Sequence, residues 1–345
     1  MQKLISRVIF FTLLVLSIIS KTAYATESND MVHIAMATNE SYLYQTLVSM
    51  TSAAENKDEK TNLNFHILIS GEFSNKGKKK LIDLQERYRK CKVELIDMGN
   101  SFNNAKTMRK SFTAAYYRLQ LPDILQGLDK VLYLDGDTIV MKDLLSLYNL
   151  NLDNYYAAGV KDYWSVTKDP DYYKIIGIES MDQYINSGVL LMNLDKMRND
   201  NLKKEFSAYI KKNHCGKKRI GKYHDQDVIN YTCYGKILHI PLKYNAMHSC
   251  IYDYYCTTTH KLDISLFNNI KKFYGEGEWT EAVTSPTIIH YVGSNRPWGT
   301  PIKLPGSLIW WKYAKKTDSF KEMVKKFRTK WNYRYMDEMI KTKLQ

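Results

Sequence analysis

The chain has no Gly-x-Gly-x-x-Gly after its first apolar strand and no Gly-Lys-Ser/Thr phosphate loop. Folds that cradle phosphate by backbone alone are thereby disfavoured. Any phosphate ligand would need a cation instead. No Cys-x-x-Cys occurs among the five cysteines, Cys91, Cys215, Cys233, Cys250 and Cys256, so a zinc or redox motif is unsupported. Their odd number leaves at least one thiol without an internal partner. Cys250 and Cys256 are close enough to bridge a small loop, and buried free thiols are an equally good reading. No zinc-finger or RNA-recognition motif accompanies the basic charge, which argues against nucleic acid as partner. Internal repeats and low-complexity linkers are missing too.

What is present is globular. The 345 residues are 44% hydrophobic, enough for one large domain or two smaller ones. Net charge is +14, which suits phosphate-bearing ligands or an anionic surface. Lys3 and Arg7 precede an apolar run from Val8 to Ile19, and Ala23-Tyr24-Ala25 follows. Residues 1–25 therefore read as a secretory signal peptide, with an uncleaved anchor as the alternative. The expected location is the secretory pathway or beyond, with a catalytic domain on the cytosolic face as the other arrangement.

From Val32 the pattern alternates. Strands are expected at Val32–Ala37, Leu63–Ser70, Val93–Met98 and Val131–Leu134, with helices at Tyr42–Ala54, up to Arg89, and at Thr113–Leu121, stopping at Pro122. This predicts an α/β fold with a Rossmann-like, mostly parallel sheet. Further strands are expected at Ala157–Lys161, Ser187–Leu194 and Thr287–Val292. From Trp310 on, aromatics mix with Lys and Arg. The division read from the sequence is a catalytic domain at 31–300 and a basic aromatic tail at 301–345. The tail is either a membrane-surface segment or a helix with a solvated charged face.

The strand Val131–Leu134 leads into Asp135-Gly136-Asp137. Residues i and i+2 of a strand point the same way, so two carboxylates can converge just past a strand end, where α/β sheets bind ligands. Two such charges need a cation. The plain rival is an Asp-Gly turn. A calcium loop fails, because Ile139 would stand at its fifth position.

Several separated segments fit one pattern with this motif. They are Ile34-Ala35-Met36-Ala37-Thr38-Asn39-Glu40-Ser41-Tyr42, Tyr116-Tyr117-Arg118-Leu119, Tyr184-Ile185-Asn186-Ser187-Gly188-Val189, His224-Asp225-Gln226-Asp227 and His290-Tyr291-Val292-Gly293-Ser294-Asn295-Arg296-Pro297-Trp298. Together they resemble glycosyltransferase family 8, which includes bacterial lipopolysaccharide galactosyl- and glucosyltransferases and glycogenin. The resemblance runs from Met31 to Trp298.

The resemblance implies a GT-A fold, a UDP-sugar donor, Mn2+ (or Mg2+) and retention of anomeric configuration. It implies Asp135, Asp137 and His290 as metal ligands. Two carboxylates and an imidazole suit such an ion. Ala37, Thr38, Asn39 and Tyr42 match the uracil and ribose segment, with Tyr42 stacking on the base. Asn39 stands where the family often has Asp. Gly136 falls within the metal motif. Arg118 matches an arginine near donor sugar and phosphate. Gly293 and Arg296 match a glycine and a lysine that close over the diphosphate, with Arg replacing Lys here. Asp162, Asn186, Asp225 and Gln226 match the sugar pocket. The expected reaction moves galactose or glucose from UDP to a hydroxyl of a glycan or glycolipid acceptor. Front-face attack is the favoured course. A covalent sugar on Asp225 is the rival, since Gln226 is a poor nucleophile. A non-catalytic UDP-sugar or glycan binder is the alternative function.

Overall fold

The computed structural model describes residues 30–99, 101–102, 110–215, 220–247, 264–293, 296–299 and 306–327. The N-terminal segment 1–25 and the Cys250/Cys256 pair lie outside these residues. Cys91, Cys215 and Cys233 are free thiols, with Cys91 and Cys233 buried. No helix among the described residues is long and apolar enough to cross a membrane.

Apolar runs build the central sheet. Its strands are β1 (Met31–Thr38), β2 (Asn62–Ile69), β3 (Cys91–Asp97), β4 (Lys130–Leu134), β6 (Ala157–Lys161), β7 (Ile185–Asn193) and β8 (Ile237–His239). Their order is β3-β2-β1-β4-β7-β6-β8. The pairs β2–β3, β1–β4 and β6–β8 are parallel, while β7 runs antiparallel between β4 and β6. The sheet is covered on both faces, as expected for strands without polar alternation. Ile34, Met36, Leu132, Leu134 and Leu191 face one core, and Ala35, Val131, Tyr133, Leu190 and Met192 face the other. The result is a mixed α/β GT-A architecture.

A second, three-stranded sheet sits at the carboxyl end of β4. It contains β5 (Thr138–Val140), β9 (Ala246–Met247) and β10 (Ile288–His290), in the order β5-β10-β9. β10 pairs antiparallel with β5, setting His290 opposite Thr138, and parallel with β9, setting His290 opposite Met247. This sheet carries distant segments of the chain to the end of β4.

Helix α1 (Leu43–Asn56) follows β1 and is buried along most of its length. Two further helices matter below: α2 (His224–Thr232) and α3 (Ser307–Lys315). The stretch near Pro122 differs from expectation. A 3-10 helix spans Lys110–Gln120, and Pro122 lies in the first turn of a short helix at Leu121–Ile124 instead of ending one. Proline is tolerated there because first-turn N–H groups have no helical acceptor.

The described part of the C-terminal segment, 306–327, packs onto α1. Trp310 is fully buried and Trp311 nearly so. Asn56 Nδ2 donates to Tyr313 Oη at 2.7 Å and to the carbonyl of Val140 at 2.9 Å. Of the two readings of the tail, this part fits a helix with a solvated charged face, its tryptophans turned to the core. Lysines 312, 315, 316, 321, 325 and 326 stay outside. Aromatics in a basic segment are ambiguous in sequence because the same ring suits an interface or a core. Trp310→Ala should lower unfolding free energy by about 3–5 kcal/mol in urea titration. Lys312→Ala should change it by less than about 0.5 kcal/mol. Equal effects would show that Trp310 is not a core side chain.

Candidate active site

Strand β4 ends at Leu134, and Asp135-Gly136-Asp137 forms a turn. The carbonyl of Asp135 accepts from the Thr138 amide at 3.2 Å and from its hydroxyl at 2.8 Å. The two carboxylates therefore converge through a turn and not through strand alternation. The Asp-Gly turn and the paired carboxylates are one feature. Gly136 is needed for its size, because a Cβ there would lie 2.7 Å from Thr46 Oγ1.

His290 completes the cluster, and one ligand atom each from Asp135, Asp137 and His290 lies within 4.8 Å of the others. His290 Nε2 is 3.2 Å from Asp137 Oδ1 and 3.7 Å from Asp135 Oδ2. The other atom of each group is engaged elsewhere. Asp135 Oδ1 accepts from Arg118 Nη2 at 2.7 Å and from Tyr133 Oη at 3.1 Å. Asp137 Oδ2 accepts from Tyr42 Oη at 2.8 Å, and Arg296 Nη2 lies 3.5 Å away. His290 Nδ1 is 3.0 Å from Asn245 Oδ1. Three remaining atoms, two oxygens and one nitrogen, thus face one point, a donor set that fits a divalent ion of the manganese or magnesium kind. Asp137 is held below the ordinary carboxylate range: burial pulls it upward, but the His290 hydrogen bond and charge, Arg296 and the Tyr42 hydroxyl outweigh burial.

Arg118 is 2% exposed, which removes the reading of it as a surface arginine. Its guanidinium lies 3.9 Å from the centroid of the Tyr133 ring. Nη1 donates to the Ser187 carbonyl and Nε to that of Ala115. Asp225 Oδ2 is 3.2 Å from Arg118 Nε, yet has no hydrogen-bond partner, because that N–H points to Ala115. The attraction there is one of charge alone. Burial pushes the Asp225 carboxyl up to about 6, with Arg118 opposing and Asp135 reinforcing the rise. Asp225 lies in the first turn of α2, as its sequence position suggested.

Gln226, Asn186 and Asp162 form one buried network. Gln226 Nε2 donates to Asp162 Oδ2 at 3.0 Å, and Gln226 Oε1 accepts from the Ser187 amide at 3.1 Å. Asn186 Nδ2 is 3.3 Å from both Asp162 Oδ2 and Gln226 Oε1. Asn186 lies inside β7, so it is not a turn cap.

Arg118, Asp225 and the two carboxylates of the turn border a cavity of about 360 Å3. Ala37, Thr38, Asn39, Tyr42, Arg118, Asp135, Gly136, Asp137, Asp225 and Arg296 all line it. Asn39 Oδ1 caps the following turn, accepting from the Ser41 and Tyr42 amides at 3.0 and 3.2 Å. The Tyr42 ring stands edge-on to Trp298, and its hydroxyl accepts from Arg296 Nη1 at 2.8 Å. Tyr42 therefore borders the metal cluster as well as the cavity. Gly293 has φ +92°, in the left-handed region, and its carbonyl accepts from Arg296 Nε at 2.8 Å. Asp162, Asn186 and Gln226 do not line this cavity; they stand behind Ser187, which does.

The sequence reading missed Ser41, Tyr133, Ser187 and His224 on the cavity wall. Tyr133 carried a signal, since it shares a strand face with Asp135. It missed Gly188 and Asn245 behind the metal cluster. Gly188 stood inside a quoted motif, whereas Asn245 had no signal.

The family model described as Glycosyl transferase family 8 matches residues 33–300. A Haemophilus influenzae protein is 31% identical over 215 residues, and the match spans 62% of each chain. The lipopolysaccharide 1,2-glucosyltransferase of Escherichia coli K12 is 27% identical over 273 residues, covering 79% of this chain and 74% of that one. Among solved structures, the galactosyltransferase LgtC in complex with donor and acceptor sugar analogues aligns with a TM-score of 0.70. The identity is 23%, with 86% of this chain and 100% of that one covered, a likeness of fold.

Proposed function

The chain belongs to glycosyltransferase family 8, and from that premise we propose a retaining, Mn2+-dependent transfer of galactose or glucose from a UDP-sugar to a glycan or glycolipid hydroxyl. Enzymes of the GT-A class use a divalent metal and a nucleotide sugar. The observation that carries the proposal is the convergence of Asp135, Asp137 and His290, with both carboxylates on the wall of a cavity also lined by Tyr42, Arg118 and Arg296. When bound there, the metal would neutralise charge developing on the departing diphosphate.

The chain's own residues supply the rest. Arg296, beside Asp137 and Tyr42, adds a second cation toward a diphosphate. Thr38, Asn39 and Tyr42 form the wall assigned to base and ribose. Arg118 bridges Asp135 and Asp225, fixing the metal side against the sugar side. Asp162, Asn186 and Gln226 brace Ser187, which lines the cavity, from behind. Asp225, buried and lacking a hydrogen bond at Oδ2, is placed to face positive charge growing on the sugar. Its carboxylate would also serve in the covalent course.

The test is release of UDP from a panel of UDP-sugars. Chelation should stop release and Mn2+ should restore it. Mn2+-dependent UDP binding with no turnover of any UDP-sugar, whatever acceptor is added, would favour the non-catalytic binder.

A further inference from the structure

Asn245 lies just before β9 and is fully buried, with His290 on one side and Asn186 on the other. His290 Nδ1 to Asn245 Oδ1 is 3.0 Å, and Asn245 Nδ2 to Asn186 Oδ1 is 2.9 Å. An amide in isolation can be turned either way, and an imidazole can carry its proton on either nitrogen. Here the far end of the chain removes that freedom. The backbone N–H of Gly188 is 3.0 Å from Asn186 Oδ1 and can only donate. Asp162 Oδ2, at 3.3 Å from Asn186 Nδ2, accepts as a carboxylate. Asn186 is thus held with its oxygen toward Gly188 and Asn245.

We infer that Asn186 and Asn245 are positioning residues that set the polarity of the His290 ring, keeping a proton on Nδ1 so that Nε2 is the nitrogen left to bind a metal beside Asp135 and Asp137. The polarity passes along the chain by elimination. Because Asn186 Oδ1 faces Asn245, Asn245 must offer its NH2 there. Its oxygen then faces His290, so His290 Nδ1 must donate. A reversed Asn245 would set two carbonyl oxygens against each other and leave His290 with its proton on the metal side. Gln226 locks the same network a second time, with Oε1 on the Ser187 N–H and Nε2 on Asp162. One network therefore orients both the sugar-side amides and the metal-side imidazole.

The inference rests on the metal reading for its purpose, but the tautomer can be read without metal. The experiment is 15N–1H correlation of the His290 ring in metal-free protein at alkaline pH, for wild type, Asn245→Ala and Asn245→Asp, with Mn2+ titrated by calorimetry. Wild type should keep its proton on Nδ1 when the ring is neutral. Asn245→Ala should lose that preference and bind Mn2+ about 10–100-fold more weakly. Asn245→Asp keeps an acceptor at Nδ1 but removes the donor to Asn186. It should hold the tautomer and most of the Mn2+ affinity while melting earlier. A wild-type ring with its proton on Nε2 and none on Nδ1 would overturn the inference, even if neither variant folds. So would Mn2+ affinity that follows thermal stability alone across the three proteins. An Nδ1–H ring in a wild type that binds no Mn2+ would sink the metal reading and leave the tautomer assignment standing.

Discussion

Asp137→Asn is expected to lower kcat/KM for the UDP-sugar on the order of 10^3-fold, equivalent to about 4 kcal/mol of transition-state stabilisation. Asparagine keeps the size of the side chain and can still accept from Tyr42, so the turn should persist. What disappears is a negative charge at one of three converging ligand atoms. Tyr42 and Arg296 hold Asp137 Oδ2, so the remaining oxygen cannot be replaced by a swing of the side chain. Weaker Mn2+ binding and slower turnover at saturating Mn2+ should appear together. Unchanged kcat and kcat/KM at every Mn2+ concentration would exclude Asp137 as a ligand. A stability effect accompanies the change. The Asp137 carboxyl is depressed in the folded state, so its contribution is present above the ordinary carboxylate value and lost as pH falls below it. Metal-free wild type should lose stability over that acid range, and Asp137→Asn should lack this part of the loss.

Gly188→Ala should be nearly as damaging to activity, although the residue carries no functional group. Its Cβ would fall inside contact distance of the His290 ring, at 2.7 Å from Nδ1 and 2.8 Å from Asp135 Oδ2. Neither neighbour can retreat cheaply. His290 is fixed by β10 and Asn245, and Asp135 by Arg118 and Tyr133. The overpacking should cost about 1–3 kcal/mol of stability. Displacing one ligand should reduce activity on the order of 10^2-fold or more. A double-mutant cycle separates the two effects. Once His290→Ala has emptied the space, Gly188→Ala should add little further loss. Full additivity in the cycle would mean that Gly188 acts on something other than His290.

Much of the site was legible because its parts are local. The apolar run Val131–Leu134 and the carboxylates after it follow from strand burial and position, and the β1 segment with Asn39 and Tyr42 reads the same way. Arg118 was legible only through the pattern it shared with the other motifs. By itself, one arginine among tyrosines on a helical stretch says nothing about burial. The tail's two readings stayed open for the same reason, since Trp310 and Lys312 lie close in sequence but separate between core and solvent once α3 packs on α1.

The sequence by itself determined the α/β order, the paired carboxylates at a strand end and the identities of the residues that could answer them. Those follow from hydrophobic runs and residue chemistry, which are properties of short segments. The tertiary structure alone decided that His290 reaches Asp137, because that depends on β10 choosing β5 and β9 as neighbours. It decided the roles of Gly188 and Asn245, one through a lack of space and the other through hydrogen-bond direction. Close approach and amide polarity exist only between segments brought together by folding, so no spacing along the chain could record them.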